Sequence, residues 1–253
     1  MSAIDYNKER VTIVILARNE ERTIAEAVGN ASRWCREVLV MDGRSTDNTA
    51  NAARSAGARV VKDDGKGKGA AIRESLGLVE TEFVVFMDAD GSHDAHDTPN
   101  LVSPLADGSA DLCVGSRFAG GSDELSVSIA QLVRTVGNIL MNIAINKRWK
   151  VELTDTLNGF RAVRREAALR VGLKENTHTI EQEMVMKILR HGMKVVNAPT
   201  HEYKRRFGES HIRIWREWPR FVWCVVENIA APNIAAPVVV AEPSPRVVAG
   251  ISE

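Results

Sequence analysis

The amino-acid sequence predicts an α/β fold in which a mostly parallel sheet is covered by helices on both faces. Three observations point there. Over the first 115 residues, short apolar runs alternate with stretches of helical periodicity. The connections between them are short, as in strand–helix–strand units. Nearly every apolar run ends in a cluster of polar residues, the arrangement of a sheet that gathers a ligand at the carboxyl ends of its strands.

In chain order, Val11 to Leu16 reads as a buried strand, and Glu20 to Ser32 as a helix with Ile24, Ala27, Val28 and Ala31 on one face. Glu37 to Met41 is a second strand, followed by a turn and a helix from about Thr46 to Ala56. Arg59 to Val61 is a short extended run that leads into a loop punctuated by Gly65, Gly67 and Gly69. A helix over Ala70 to Val79, a strand over Phe83 to Met87, a helix near Asn100 to Ala106 and a strand over Asp111 to Gly115 complete the alternation. Beyond it, Leu125 to Ile145 is a long apolar-rich helix containing Arg134, Asn138 and Asn142. Glu181 to Arg190 is a helix, Val195 to Ala198 a strand, and Lys204 to Arg206 a basic loop.

Composition narrows the class of protein. A chain of 253 residues, 44% hydrophobic and 26% charged, can bury a substantial core and is not of disordered composition. The 33 basic residues are balanced by 33 acidic ones, so no global charge draws it to nucleic acid. Cys35, Cys113 and Cys224 are odd in number and lack metal-ligand spacing, which excludes a disulfide framework and favours a reducing compartment. The first ten residues are too polar for a secretory leader. The uncharged stretch Asn228 to Ala241 is broken by Pro232 and Pro237 and falls short of the ~20 apolar residues of a membrane span. The expected location is cytoplasmic.

The chemistry centres on Asp88-Ala89-Asp90, which follows the apolar run Phe83 to Met87. Alternate residues of an extended segment point the same way, so two carboxylates could face one hard cation, which completes its shell with water and substrate phosphates. Residues 80–97 hold six acids and no Lys or Arg. Asp94 and Asp97 read as helix caps. Isolated cations stand elsewhere: Lys68 between glycines that would let a phosphate approach the backbone, Arg117 after a strand, Arg134 within an apolar helix, and Arg205 with Arg206. Arg134 is costly among Leu132, Val133, Val136 and Ile139 unless paired; a salt bridge to Asp155 or Glu181 and a functional role are equally open. Acids on one loop and scattered cations around it suit a metal-bound diphosphate and a second anion.

These residues resemble a known family. Asn19-Glu20, Asp42-Gly43-Arg44-Ser45-Thr46-Asp47, Gly67-Lys68-Gly69, Asp88-Ala89-Asp90-Gly91 and Gly115-Ser116-Arg117 are similar to the family-2 inverting glycosyltransferases of GT-A fold. Arg134 with Asn138, the run Asp155 to Arg161, Glu181 to Met186 and Arg205 to Ser210 resemble the polyprenyl-phosphate branch, the dolichol-phosphate mannose synthases and their bacterial relatives. The resemblance covers roughly residues 10–213. It implies that Asn19, Glu20 and Asp42 line the nucleoside pocket, beside which Arg18 is a further expected donor contact, and that Asp88 and Asp90 hold Mg²⁺ or Mn²⁺ against the nucleotide diphosphate. It also implies that Arg117, Arg134 and Arg205 bind phosphates, the acceptor's included, to which the glycine-flanked Lys68 is an expected addition. The sequence departs from the family where Leu16-Ala17-Arg18 precedes Asn19, where Ser92 replaces a frequent Gln metal ligand, where Asn158 replaces a Ser and where His211 replaces a Lys.

The expected activity is transfer of a hexose from a nucleotide sugar, of GDP-mannose or UDP-glucose type, to a polyprenyl phosphate, with Asp90, Arg117, Arg134 and Asp155 nearest the chemistry. A phosphate acceptor is already ionised at neutral pH. A hydroxyl acceptor, the alternative, needs a base, for which Asp155 stands first and His93 and Glu181 behind it; Asp155 reads equally as the structural partner of Arg134 or Arg161. A nucleotidyltransferase and a non-catalytic nucleotide-sugar-binding subunit are more distant alternatives. Residues 1–213 form the expected catalytic domain. Residues 214–241 are an aromatic and basic segment in which Trp215, Trp218, Phe221 and Trp223 alternate with Arg216 and Arg220, and Pro219 suggests a break or helix start. Such a pattern, here spanning 213–229, suits contact with the inner face of a membrane, or else packing on the sheet or on a second copy in a homo-oligomer. Residues 242–253 read as a flexible tail.

Overall fold

A computed structural model describes residues 6–123, 129–207 and 214–234, except for the side chains of 129–134 and 214–217. The expected tail at 242–253, Gly208 to Arg213, and the side chains of Arg134, Trp215 and Arg216 therefore lie outside the described residues. Seven strands form one sheet: β1 (Val11–Ala17), β2 (Glu37–Asp42), β3 (Arg59–Lys62), β4 (Phe83–Asp88), β5 (Leu112–Ser116), β6 (Arg161–Arg164) and β7 (Val195–Pro199). Their order is β3-β2-β1-β4-β6-β5-β7. All neighbours pair in parallel except β6, which runs antiparallel to both β4 and β5. The expected mostly parallel sheet is present. The reversed strand was not foreseen, because Arg161-Ala-Val-Arg164 is short and has a charge at each end.

Nine helices connect and cover the strands among the described residues: α1 (Ile24–Ala31), α2 (Thr49–Ser55), α3 (Lys68–Leu78), α4 (Thr98–Ala106), α5 (Arg117–Gly120), α6 (Ile129–Trp149), α7 (Arg165–Arg170), α8 (Ile180–Arg190) and α9 (Ile214–Ala230). The period-2 alternation of the strands divides the core in two. Val11, Ile13 and Ile15 of β1 and Phe83, Val85 and Met87 of β4 face α1, α2 and α4. Val14 of β1 with Val84 and Phe86 of β4 face α3, α6, α8 and α9. Burial on both faces explains why these strands read as unbroken apolar runs. Truncating fully buried Phe86 to Ala would cost about 3–5 kcal/mol.

Helix boundaries depart from the sequence reading at α1, α3 and α9. Residues 20–23 form a turn before α1, with the Glu20 carbonyl accepting from the Thr23 and Ile24 amides. Lys68 opens α3 rather than sitting in a loop. Pro219 lies inside α9 and does not break it; in the second turn it forfeits one backbone hydrogen bond, while Trp218 and Phe221 beside it pack against the core. Gly137 of α6 makes that packing possible, since a Cβ there would lie 2.0 Å from the Trp218 ring. The outer faces of the same two helices are apolar and uncovered among the described residues: Val136, Ile139, Leu140 and Ile143 on α6 and Val222, Trp223 and Val226 on α9 are 42–67% exposed. No helix among the described residues is long and apolar enough to cross a membrane.

Candidate active site

The carboxyl ends of β1, β2, β4 and β5 and the loop after β7 open on one edge of the sheet. Because β6 is reversed, the segment that precedes it, residues 154–160, reaches that same edge from its amino end. Three ion-pair groups assemble there.

The first joins Lys68, Asp88 and Glu181. Lys68 Nζ lies 2.8 Å from Asp88 Oδ1 and 2.7 Å from Glu181 Oε1, from the start of α3 to the end of β4 and the start of α8. Burial alone would raise the Asp88 carboxyl, but Lys68, with His93 behind it, holds it down to about 2. Burial opposes the Lys68 ammonium, and the two carboxylates more than offset that and push its pKa up. Gly159 crosses this group so closely that a Cβ would sit 3.0 Å from both Asp88 Oδ2 and Lys68 Nζ. Beneath lies Arg161, fully buried, donating to the carbonyls of Asn158, Thr156 and Glu181, the last at 2.5 Å. Burial lowers its pKa, with Glu181, Asp155 and Asp88 opposing. His93 accepts the Asp88 amide N–H through Nδ1 at 3.2 Å and stacks on Phe160.

The second group is Arg205 with Asp90 and Glu20. Arg205 donates from Nε to Asp90 Oδ2 at 3.1 Å and from a terminal nitrogen to Glu20 Oε1 at 2.8 Å. Asp90 Oδ1 accepts from the Ser92 amide and hydroxyl, at 3.0 and 2.6 Å. Burial raises the Glu20 carboxyl against the pull of Arg205, and Asp90 and Asp88 nearby add to the rise. Asp88 and Asp90 thus face different cations of the protein. The strand ends at Asp88 and the chain bends at 89–90, so the expectation that both side chains point one way as in an extended segment does not hold.

The third group is Arg117 with Asp155. Arg117 opens α5 and places Nε 2.7 Å from Asp155 Oδ2 and a terminal nitrogen 3.1 Å from Oδ1; Glu202 lies 3.6 Å from its remaining nitrogen. Asp155 is fully buried and also accepts from Asn138 Nδ2 and the Leu157 amide, at 3.2 and 3.1 Å. Burial pushes its carboxyl up, and Arg117 with these donors more than reverses that, leaving it below the usual carboxylate range. Among the described residues the charged partner of Asp155 is therefore Arg117, not Arg161; the side chain of the other expected partner, Arg134, lies outside them. Arg134 stands one turn before Asn138 on α6.

At the β1–β2 side, Arg18 is exposed and Asp42 is buried, its Oδ1 accepting the Ser45 amide at 3.3 Å. Asn19 does not project freely: its Oδ1 accepts the Thr46 amide at 2.8 Å and its own amide donates to Ser45 Oγ at 2.9 Å. Asn19 and Arg44 both have left-handed backbone, φ 55° and 59°, a conformation unfavourable for a bulky Arg, where these two loops meet. The glycines flanking Lys68 serve an internal approach rather than an open one. The Gly69 amide donates to the Asn176 carbonyl at 2.8 Å, and a Cβ on Gly67 or Gly69 would clash with the backbone of residues 175–177. Asp94 caps the short turn before α4 as expected, accepting the His96 amide, whereas Asp97, which precedes α4, makes no side-chain capping bond. Glu202 carried no signal in the sequence beyond its charge, and Arg161 entered only as the end of the Asp155 to Arg161 run and as an alternative partner of Asp155. Among the described residues no three His, Cys, Asp or Glu side chains converge on one point.

A mostly parallel sheet with one reversed strand, two carboxylates at the end of β4 and an Arg–Asp fork after β5 defines a transferase of GT-A fold. The glycosyl transferase family 2 model matches residues 12–172, and the chain belongs to that family of enzymes. It is 35% identical over 204 residues to the glycosyltransferase AglJ of Haloferax volcanii, a match covering 80% of this chain and 66% of that protein, so the chain spans just under two thirds of its length. It is 26% identical over 211 residues to the dolichyl-phosphate hexose transferase of the same organism, covering 82% and 89%. Among solved structures it is similar to glucosyl-3-phosphoglycerate synthase from Mycobacterium tuberculosis in complex with Mn²⁺, UDP and phosphoglyceric acid. That match has a TM-score of 0.69 and 22% identity, covering 88% of this chain and 79% of that one; it shows the fold.

Proposed function

We propose that the chain transfers a hexose, with inversion, from a nucleotide sugar to a polyprenyl phosphate. One observation carries this reading. The three side chains that could serve a hydroxyl acceptor as base are all engaged: Asp155 by Arg117, Asn138 and Leu157, Glu181 by Lys68, and His93 Nδ1 by the Asp88 amide. A phosphate monoester, with a second pKa of about 6, needs no base to attack. In this reading Arg117 is a phosphate contact, together with Arg134, whose backbone lies one turn before Asn138 on α6. The dolichyl-phosphate relative supports the acceptor class.

Asp88 and Asp90 fit a hard divalent cation, Mg²⁺ or Mn²⁺, in donor chemistry: oxygen ligands, one or two carboxylates, the remainder supplied by water and phosphates. Glucosyl-3-phosphoglycerate synthase binds Mn²⁺ with UDP on the same fold. When bound, the cation would neutralise charge on the departing diphosphate. To admit it, Asp90 must exchange Arg205, and that guanidinium, still held by Glu20, would turn toward phosphate oxygens. Glu20, Asp42, Asn19 and Arg18 frame the nucleoside side. A lipid acceptor also accounts for the outer faces of α6 and α9, whose apolar residues, with Trp223 prominent and exposed Lys147, Lys150 and Arg220 nearby, suit the headgroup layer of a bilayer.

The test is incubation with GDP-mannose and UDP-glucose, Mn²⁺ or Mg²⁺, and either polyprenyl phosphate or a soluble phosphorylated or glycan acceptor. A phosphate-linked lipid product supports the reading. Product with the soluble acceptors alone overturns it.

A further inference from the structure

Asn138, Asn142 and Asn146 stand at four-residue intervals on α6 and therefore share a face, and all three reach one short segment of the site. Asn146 donates to the Leu153 carbonyl at 2.8 Å and accepts the Leu153 amide at 2.9 Å. Asn142 donates to the Thr154 carbonyl at 2.7 Å and accepts the Thr156 hydroxyl at 2.6 Å. Asn138 donates to Asp155 Oδ1 at 3.2 Å. From the far side, Asn197 on β7 donates to the Val114 and Asp155 carbonyls, at 2.9 and 2.8 Å.

Asn138 differs from the other two. It is 4% exposed, and its Oδ1 is buried without a hydrogen-bond partner among the described residues. Turning the amide would set that oxygen against a carboxylate, so its orientation is fixed. An unpartnered buried oxygen costs stability, and an apolar side chain at this position would avoid the cost. What the residue contributes is its one N–H bond, made to the same carboxylate that grips Arg117. With Asn138 and the Leu157 amide both on Oδ1, the Asp155 carboxylate has a single orientation, and so does the fork on which Arg117 rests.

We propose that Asn138 is a positioning residue for the acceptor: acting through Asp155, it sets how Arg117 presents its outer edge to the incoming anion. The proposal rests on the reading of Arg117 as a phosphate contact. Asn138→Leu should stay folded, with a melting temperature at or above that of the parent. It should raise the KM for polyprenyl phosphate about tenfold and leave the KM for the nucleotide sugar within twofold. Asn146→Ala, which frees only the Leu153 backbone, should lower the melting temperature without that split. Amide hydrogen exchange, read without any substrate, should accelerate at Arg117 and Leu157 in Asn138→Leu and at Leu153 in Asn146→Ala. An unchanged acceptor KM in Asn138→Leu, or the same KM changes in both variants, overturns the proposal. If the parent turns over no polyprenyl phosphate, the acceptor assignment alone has failed. Exchange then decides, and unaltered protection at Arg117 and Leu157 in Asn138→Leu sinks the positioning role.

Discussion

Lys68 and Asp88 meet at 2.8 Å where the first turn of α3 faces the last residue of β4, and the same ammonium reaches Glu181 at 2.7 Å. One cation therefore bridges two carboxylates from two other elements, in a position where none of the three side chains is more than 30% exposed. Removing the ammonium would leave like charges facing each other out of bulk water. Lys68→Met should cost about 3–5 kcal/mol, seen as a lower urea midpoint, and Lys68→Arg should recover a part of it. Equal midpoints for Lys68→Met and the parent would show that solvent screens the pair.

The same contact sets a pH dependence. Burial raises the Asp88 carboxyl, and Lys68 overrides this to hold it at about 2; Asp155 is likewise held low by Arg117 against burial. Each folded-state pKa lies below the unfolded value of about 3.9. Their contribution is therefore complete above that value and is lost as pH falls through the folded value. Unfolding free energy should decline between about pH 4 and pH 2, and Asp88→Asn should flatten the decline. A parent profile level across that range is the contrary result, measured by urea titration at each pH.

Gly159 has a backbone conformation open to other residues, so its requirement is one of space. A methyl group there would press on Asp88 Oδ2, Lys68 Nζ and Glu181 Oε1 at 3.0, 3.0 and 3.2 Å. Gly159→Ala should destabilise by about 1–3 kcal/mol through overpacking and reduce kcat more than that stability loss alone explains. Full activity would mean that the segment can retreat from the ion pair.

Arg205 occupies Asp90 Oδ2 and Glu20 Oε1. Under the proposed metal assignment, Arg205→Ala frees a ligand oxygen while removing a phosphate contact. Mn²⁺ alone should then bind about fivefold more tightly, the equivalent of about 1 kcal/mol, whereas the nucleotide diphosphate with Mn²⁺ should bind more weakly. Calorimetry without and with UDP or GDP separates the two effects, and a loss of Mn²⁺ affinity in both would place Arg205 outside this competition.

The sheet and its ligand edge were legible because a strand covered on both faces is written as a continuous apolar run, as in Phe83 to Met87. The ordered polar clusters after those runs identified Glu20, Asp88, Asp90, Arg117 and Arg205, which the fold brings to one edge. The pairings were not legible. Nothing in spacing says that Arg117 rather than Arg161 takes Asp155, because that choice is made by α5 and the 154–160 segment meeting in space. The glycines at 67 and 69 misled for a related reason: close backbone approach is visible in a sequence, but the identity of what approaches, here residues 175–177, is not. Pro219 was read as a boundary since helix breaking is a local rule, and the burial of Trp218 and Phe221 overrides it.

The reversal of β6 has an effect on how this site can change over evolution or design. Loops at the ends of parallel strands are followed by a helix that can shift outward to absorb an added residue. Residues 150–160 have no such slack: they are tied to α6 by the asparagines behind and enter β6, paired on both sides, directly ahead. Length variation should therefore accumulate after β6 rather than before it, so the half of the site that the proposed function gives to the acceptor should diversify by substitution and keep its length.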